Sequence, residues 1–134
     1  TVSLPVFTNR SFDRELEFFL TEALVKEIER RTPYKVTRSG EADTIFTGTI
    51  LSAERRMLSR TPEGGLAQEV QVVVTVSFEW KDLRSGKILR QRSQFQGTGE
   101  HVPPRGVGEP QEVAQQAAIA MLARDIVSVM RSDW

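Results

Sequence analysis

The chain has 134 residues, enough for one domain that buries roughly two-thirds of the surface of its unfolded state. Its 18 basic residues balance its 18 acidic residues, which argues against a general nucleic-acid-binding protein, because such proteins are usually basic overall. The sequence contains no cysteine, and this excludes structural disulfides, thiolate zinc sites and cysteine nucleophiles. The chain starts at Thr1 without an initiator methionine, so we expect an upstream targeting segment to have been removed.

The beginning of the chain predicts a short strand and then a long helix. Apolar residues alternate in residues 2–6, and Pro5 within this strand indicates an edge or a bulge. Ser11 is predicted as the N-cap of a helix from Phe12 to Arg31, because serine accepts hydrogen bonds from the free N–H groups of a first turn. The apolar positions of this helix form one stripe: Phe12, Leu16, Phe19, Leu20, Ala23, Leu24 and Ile28.

Four further strands are predicted after this helix. Their ranges are Tyr34 to Thr37, Thr44 to Ser59, Val70 to Trp80 and Ile88 to Gly97. The third is the clearest, because every even position from Val70 to Trp80 is apolar and most odd positions are polar. Such a strand has one buried face and one solvent-exposed face, so neighbouring elements must cover its apolar side.

The last part of the chain predicts a hairpin and a second helix. If Asp82 pairs with Lys87 across the turn, then Glu79 faces Arg90 on the polar face of the sheet. The second helix is predicted from Gln111 to Arg131, and its alanines favour close packing on a neighbouring helix. The element order is therefore β-α-β-β-β-β-α, which predicts an α+β fold with a mostly antiparallel sheet and both helices on one face.

The sequence offers little from which to build a catalytic site. Its single histidine, His101, lies in a predicted Gly/Pro-rich loop, and no serine occupies a G-x-S-x-G turn. The run Gly97-Thr98-Gly99 lacks the third glycine of a dinucleotide-binding loop. We expect no enzymatic activity, no cofactor and no metal site. The alternative is a hydrolase that uses His101, which a loss of activity in His101→Ala would support.

Five arginines form the first candidate binding surface. Arg55, Arg56 and Arg60 lie near the tip of the predicted long hairpin. Arg90 and Arg92 lie on the predicted polar face of the following strand. Arginine binds phosphate and carboxylate groups through two-point contacts, so these residues are candidates for an anionic ligand. The alternative is that they pair with neighbouring glutamates and water and keep the edge strands soluble.

Three apolar residues form the second candidate surface. We suppose that Met57 pairs with Val70, and this pairing would set the register of the long hairpin. In that register Phe46, Ile50 and Val73 point away from the helices. An apolar group on the open face of a sheet often marks a partner surface. The alternative is a bulge or another register that returns these side chains to the core.

Four motifs follow one another along nearly the whole chain. They read LPVFTNRSFDRELEFFLTEALVKEIERRT, ADTIFTGTILS, VTVSFEWKDLRSGKIL and, at the end, ARDIVSVMRSDW. In this order they resemble the lipopolysaccharide-assembly lipoprotein family of the LptE type. No single motif is catalytic, and the resemblance lies in the order of all of them.

The resemblance implies a single LptE-like domain over residues 1–134 and a non-enzymatic function. Proteins of this family are anchored on the periplasmic side of the outer membrane through a lipidated N-terminal cysteine, which this chain lacks. They plug a large β-barrel of the LptD type and help to deliver lipopolysaccharide to the outer leaflet. We therefore expect this barrel and lipopolysaccharide as partners. The five arginines are our candidates for the lipid phosphates, and the three apolar residues are our candidates for the barrel.

A second resemblance leads to a different partner. A strand, an N-R-S turn, a helix and a strand with the pattern A-D-x-x-x-x-G are also similar to TolB amino-terminal and CsgG-like modules. These modules bind partners in other assemblies of the cell envelope. Tight association with an outer-membrane barrel separates the two alternatives.

Overall fold

The computed structural model describes the backbone of residues 1–12, 14–37, 42–59, 68–101 and 110–131. It describes the side chains of residues 1–12, 14–37, 42–55, 71–99 and 113–131. The elements in chain order are β1 (Val2–Ser3), β2 (Thr8–Asn9), α1 (Leu16–Arg31), β3 (Val36–Thr37), β4 (Thr44–Ser59), β5 (Gln68–Asp82), β6 (Ile88–His101) and α2 (Pro110–Arg131). The predicted α+β fold is confirmed, with one further short strand, β2, before the first helix.

The sheet combines long antiparallel strands with short parallel ones. Strand β5 lies between β4 and β6 and pairs antiparallel with both. Strands β1 and β2 pair parallel with β4, and β3 pairs parallel with β1. Pro5 lies between β1 and β2, so the predicted strand at residues 2–6 is interrupted where proline removes a backbone donor.

The strand that the sequence marks most clearly is the centre of the core. Its even-numbered residues are at most 3% exposed: Val72, Val74, Val76, Phe78 and Trp80. Helix α1 packs on them with a stripe at four-residue spacing, formed by Leu16, Leu20, Leu24 and Ile28. Helix α2 contributes Ala114, Ala118, Leu122 and Ile126 at the same spacing. Both helices therefore cover one face of the sheet, and the opposite face is called the open face below.

Two glycines allow α2 to lie close to β6. A Cβ atom at Gly99 would lie 2.5 Å from the backbone nitrogen of Ala118, and one at Gly97 would lie 2.8 Å from its carbonyl oxygen. Both distances are shorter than real Cβ contacts, so these positions need glycine. The backbone of α2 at Ala118 therefore lies against β6, and α2 also contacts α1, the neighbouring helix. The strand extends beyond its predicted end at Gly97, and residues 98–101 belong to it rather than to the predicted loop.

The start of α1 also differs from the prediction. The helix begins at Leu16, and Glu15 at its N-cap has a φ of 72° and makes no side-chain capping hydrogen bond. Ser11 instead donates from its backbone N–H and its hydroxyl to Asn9 Oδ1, at 2.8 and 2.6 Å. Phe12 lies before the helix and is fully exposed, so its predicted place in the apolar stripe is wrong.

Helix α2 is long and apolar enough from Val113 to Arg131 to cross a membrane, by length and composition alone. In this fold 44% of the segment is buried. Its buried residues pack on β5, β6 and α1. We therefore interpret α2 as the core helix of a folded domain.

Candidate interaction surfaces

Two of the three apolar residues predicted to face a partner lie in the core. Phe46 and Ile50 are 0% exposed, so the prediction that they point away from the helices is wrong. Phe46 lies opposite Trp80, and its ring stacks on that of Phe78 with the centroids 5.3 Å apart. Both residues therefore stabilise the interior and do not offer a surface to a partner.

The cause is one extra residue in β4. Met57 pairs with Val70 as predicted, but a β-bulge between Ile50 and Ser52 shifts the register. A shift of one residue moves the side chains on that side of the bulge to the other face of the sheet. Val73 lies beyond the bulge and keeps its predicted place on the open face, where it is half-buried.

The open face carries hydroxyl, amide and carboxyl side chains. Paired residues form rows across the strands, with Thr8, Thr49 and Ser77 in one row, Thr47, Glu79 and Gln91 in the next, and Ser52, Thr75 and Gln96 in a third. The Gln96 amide donates to Thr75 Oγ1 at 3.3 Å. The first two rows line a shallow depression of about 310 Å³. This face is therefore suited to polar contacts.

Arg90 lies on the helix face of the sheet, not on the predicted polar face. A bulge between Trp80 and Lys81 shifts the register, so Arg90 pairs with Trp80. Its Nε–H donates to the carbonyl oxygen of Val129, in the last turn of α2, at 3.2 Å. The guanidinium places positive charge at a helix C-terminus, where carbonyl groups need partners. Arg90 therefore has a structural role.

Of the other predicted arginines, the two whose side chains are described, Arg55 and Arg92, lie apart. Arg92 is exposed but pairs with Phe78 rather than Ser77, so the prediction that it lies on the polar face is wrong, and it shares the face of Arg90. Arg55 is exposed opposite Val72. Phe78 and Val72 are six positions apart on β5, which corresponds to about 20 Å along a strand. The structure describes only the backbone of Arg56, and Arg60 lies outside the described residues.

An apolar groove that was not predicted lies between β1, β3 and α1. Its volume is about 630 Å³, and its apolar lining consists of Leu4, Pro5, Val6, Phe18, Val25 and Val36. Val6 is 50% exposed and Phe18 is 58% exposed. Phe18 departs from the four-residue spacing of the buried stripe of α1, and this departure is the sequence signal for the groove.

The turn between β5 and β6 forms an exposed tip. Two aliphatic side chains are exposed there, Leu83 at 46% and Ile88 at 44%. Lys81, Arg84 and Lys87 are exposed beside them. These five residues are called the turn tip below.

Asp43 connects the turn tip to the start of the chain. One of its carboxylate oxygens accepts hydrogen bonds from the Thr1 ammonium at 3.2 Å and from the Thr1 hydroxyl at 3.1 Å. The other oxygen accepts a hydrogen bond from Arg84 Nη2 at 3.0 Å. The hydrogen bond from the Thr1 ammonium, followed by that from the hydroxyl, lowers the pKa of Asp43 below its ordinary value of 3.8.

The described residues contain no group of three His, Asp or Glu side chains that is placed to hold a metal ion. His101 is the last residue of β6 and pairs with Val70, so its backbone does not lie in the predicted loop. The side chain of His101 is not among those described. The candidate sites in the described part of the chain are therefore surfaces.

Several solved structures share this fold. The hypothetical protein CT253 from Chlamydia trachomatis has a TM-score of 0.62 and 12% identity, with 98% of each chain covered. A dodecamer of a PelC variant from Paraburkholderia phytofirmans has a TM-score of 0.54 and 14% identity, covering 99% of this chain and 89% of that chain. Lipoprotein GNA1162 from Neisseria meningitidis has a TM-score of 0.52 and 11% identity, with 98% of each chain covered. At these identities the likeness shows the fold alone.

The family is shown by its sequence model. The model for LptE, described as lipopolysaccharide-assembly, matches residues 1–130. No curated protein matches the chain. Because the family model covers nearly the whole chain, the chain belongs to the lipopolysaccharide-assembly family LptE.

Proposed function

We propose that this domain is the plug of a lipopolysaccharide translocon in the outer membrane. It sits inside a β-barrel of the LptD type, is anchored on the periplasmic side and helps to deliver lipopolysaccharide to the outer leaflet without catalysing a reaction. Membership of the family over residues 1–130 carries the proposal. The LptE family and the lipoprotein among the solved structures of this fold support a role in the cell envelope.

The open face is the surface that we assign to the barrel. The interior of a membrane β-barrel is polar, so a plug needs polar side chains at this contact. The hydroxyl groups of Thr49, Thr75 and Ser77 meet this need. Val73 adds a half-buried apolar contact and is the one predicted barrel residue that remains in the proposal. Phe46 and Ile50 are no longer candidates for the barrel contact because they are buried.

The lipid phosphates are assigned to arginines near the end of the β4–β5 hairpin. Arginine binds phosphate with two N–H donors, and Arg55 is exposed at this end of the sheet. We group it with Arg56 and Arg60, its neighbours in the sequence, and keep Arg92 as a separate exposed candidate. Arg90 leaves the set because its guanidinium donates to carbonyl groups of Leu89 and Val129.

Affinity purification from the native host tests the barrel partnership. The full-length lipidated protein carries a tag, the envelope is solubilised in mild detergent, and bound proteins are identified by mass spectrometry. We expect an outer-membrane β-barrel in a nearly equal amount. Recovery of only soluble or inner-membrane proteins would contradict the proposal and support a TolB-like or CsgG-like function.

Variants of the same protein test the assigned surfaces. Thr75→Lys with Ser77→Lys places two charges on the open face, and we expect barrel recovery to fall about tenfold or more, since a charge at a packed interface is costly. Gln116→Lys with Ala120→Lys, at exposed positions of α2, is the matched control and should leave recovery unchanged. Equal losses in both variants would remove the open face from the proposal.

Lipopolysaccharide binding is tested separately. Replacement of Arg55, Arg56 and Arg60 together by alanine should weaken the affinity for lipopolysaccharide, because three phosphate-binding groups are lost. Arg124→Ala, at an exposed position of α2, is the control and should bind as the wild type does. An unchanged affinity of the triple variant would show that the phosphates bind elsewhere.

A further inference from the structure

We propose that the turn tip is a docking site for an anionic lipid surface. The inference goes beyond the proposed function, because it concerns the end of the sheet at the β5–β6 turn rather than the residues assigned to the barrel, and it does not require the barrel. It rests on three observations: exposed aliphatic side chains, an excess of cations around them, and a turn that is held rigidly.

The aliphatic part of the tip consists of Leu83 and Ile88. Each is almost half exposed, whereas most large apolar side chains of the sheet are buried. Ile88 pairs with Lys81, and Lys81 pairs with Ile45, so these three residues form the last row that spans β4, β5 and β6 before the turn. An apolar side chain that projects from such an end can enter the boundary between lipid headgroups and acyl chains.

The charge at the tip is complementary to an anionic surface. Lys81, Arg84 and Lys87 supply three positive charges, while among the described residues Asp43 and Asp82 are the acids that hydrogen-bond to the turn. The whole chain has no net charge, whereas these three cations exceed the two acids by one positive charge. A cation near an anionic membrane surface contributes about 1 kcal/mol to binding, and long lysine stems can lie along apolar surface while the ammonium stays in water.

The turn is held in one conformation by its own hydrogen bonds. The Asp82 carboxylate accepts from the Arg84 N–H at 3.1 Å and from the Ser85 hydroxyl at 3.0 Å. The Gly86 N–H donates to the Asp82 carbonyl at 2.8 Å, and Gly86 has a φ of 74°, which glycine adopts without strain. The Leu83 N–H donates to the Asp43 carbonyl at 2.9 Å. A rigid turn loses little conformational entropy when it docks.

The shape of the tip favours a lipid surface over a folded protein. Residues 83–88 are all exposed, so the turn is convex and offers no groove for a partner side chain. A headgroup layer accommodates a convex, basic and apolar tip because lipids move apart around it. The deep apolar groove beside α1, in contrast, is concave and lacks this cluster of cations.

Sedimentation with vesicles tests the proposal on the 134-residue chain itself. The probes are vesicles of pure phosphatidylcholine and vesicles with about 30% phosphatidylglycerol. We expect the chain to bind the anionic vesicles and to be released as the salt concentration rises, because salt screens exposed charges. Equal binding to both vesicle types, or binding to neither, would overturn the proposal.

Two double variants separate the contributions of charge and apolar area. Lys81→Gln with Lys87→Gln should lower the partition into anionic vesicles about thirtyfold, which corresponds to about 1 kcal/mol for each cation. Leu83→Ser with Ile88→Ser should lower it about tenfold at every salt concentration, because less apolar area is buried. Neither variant removes a hydrogen bond that holds the turn.

The controls carry the same changes at other exposed positions. Lys26→Gln with Arg124→Gln matches the loss of charge, and Val113→Ser with Met121→Ser matches the loss of apolar area. Both should bind as the wild type does, and equal losses in controls and tip variants would overturn the proposal. Displacement by polyglutamate that does not depend on Leu83 and Ile88 would also overturn it and indicate an acidic protein partner.

The two proposals can fail independently. The tip variants should recover the β-barrel from the native host as well as the wild type does, because Thr49, Val73, Thr75 and Ser77, which are assigned to the barrel, are unchanged. Loss of vesicle binding with normal barrel recovery supports the tip as a separate contact. Loss of barrel recovery in the same variants would overturn the tip as a site distinct from the proposed plug interface.

Discussion

The two faces of β5 differ in burial and polarity, although their residues alternate along one strand. On the helix face, Val76 and Trp80 are 0% exposed and packed by neighbours of fixed shape. On the open face, Thr75 and Ser77 are half-buried beside other polar side chains. The helix face therefore tolerates little change in side-chain volume. On the open face, charge and polarity decide which side chains are tolerated. In the proposed function, the helix face provides stability and the open face provides recognition.

The largest expected effect comes from a cavity on the helix face. The Trp80 ring meets Tyr34 edge-on at 5.5 Å between centroids, and its Nε1–H donates to Thr44 Oγ1 at 3.0 Å. We expect Trp80→Ala to lower the free energy of unfolding by about 3–5 kcal/mol in urea denaturation. Glu79→Ala, the neighbour on the open face, should change it by less than about 0.5 kcal/mol. Similar losses of unfolding free energy in the two variants would show that the two faces contribute equally to stability.

An added methyl group between β6 and α2 should have the next largest effect. A Cβ at Gly99 meets the backbone of α2, so Gly99→Ala forces the helix away from the strand. We expect the free energy of unfolding to fall by about 1–3 kcal/mol, measured by calorimetry. Thr98→Ala, which changes the opposite face of the same strand, is the control. An unchanged midpoint temperature for Gly99→Ala would contradict the close approach of α2.

A smaller effect tests the corrected position of Arg90. Arg90→Ala removes a charged donor from the carbonyl of Val129, so we expect a loss of about 1 kcal/mol and faster amide hydrogen exchange in the last turn of α2. Arg92→Ala, at an exposed position two residues further along β6, should change neither quantity measurably. A larger loss of stability for Arg92→Ala than for Arg90→Ala would support the predicted register, which has no bulge between β5 and β6.

The smallest effect is a pH dependence at the end of the sheet. A carboxyl group whose pKa is lowered by folding stabilises the protein above its ordinary pKa, which is 3.8 for Asp43. This contribution is lost as the pH falls through the lowered pKa. The midpoint temperature of the 134-residue chain should therefore fall more steeply than that of its Asp43→Asn variant below about pH 4. Parallel curves would show that the contacts with Thr1 and Arg84 do not contribute.

The sequence predicts the parts of this fold that depend on one periodicity. The alternation in β5 and the four-residue spacing of Leu16, Leu20 and Leu24 are visible without knowledge of any neighbour. The start of α1 was less predictable, because Ser11 has the chemistry of an N-cap but bonds to Asn9 instead. Local hydrogen bonds of this kind compete with helix formation.

The bulges explain why the candidate site was predicted less well. In β4, Phe46 and Ile50 compete with Ile45 and Leu51 for the core, and only the pairing with β5 decides between them. A second bulge moves Arg90 to the helix face in the same way. The register decides the face of the sheet on which every side chain of a strand lies. One inserted residue therefore moves all side chains beyond it to the opposite face.

Site-specific photocrosslinking is the direct test of whether the open face contacts the barrel. A photoreactive amino acid replaces Thr75 on the open face or Gln116 on α2 in the full-length lipoprotein, and crosslinks are formed in the native host. We expect a crosslink from position 75 to an outer-membrane β-barrel, and we expect no crosslink from position 116 to this barrel. A crosslink to the barrel from position 116 alone, or to soluble proteins alone from position 75, would contradict the assignment of recognition to the open face.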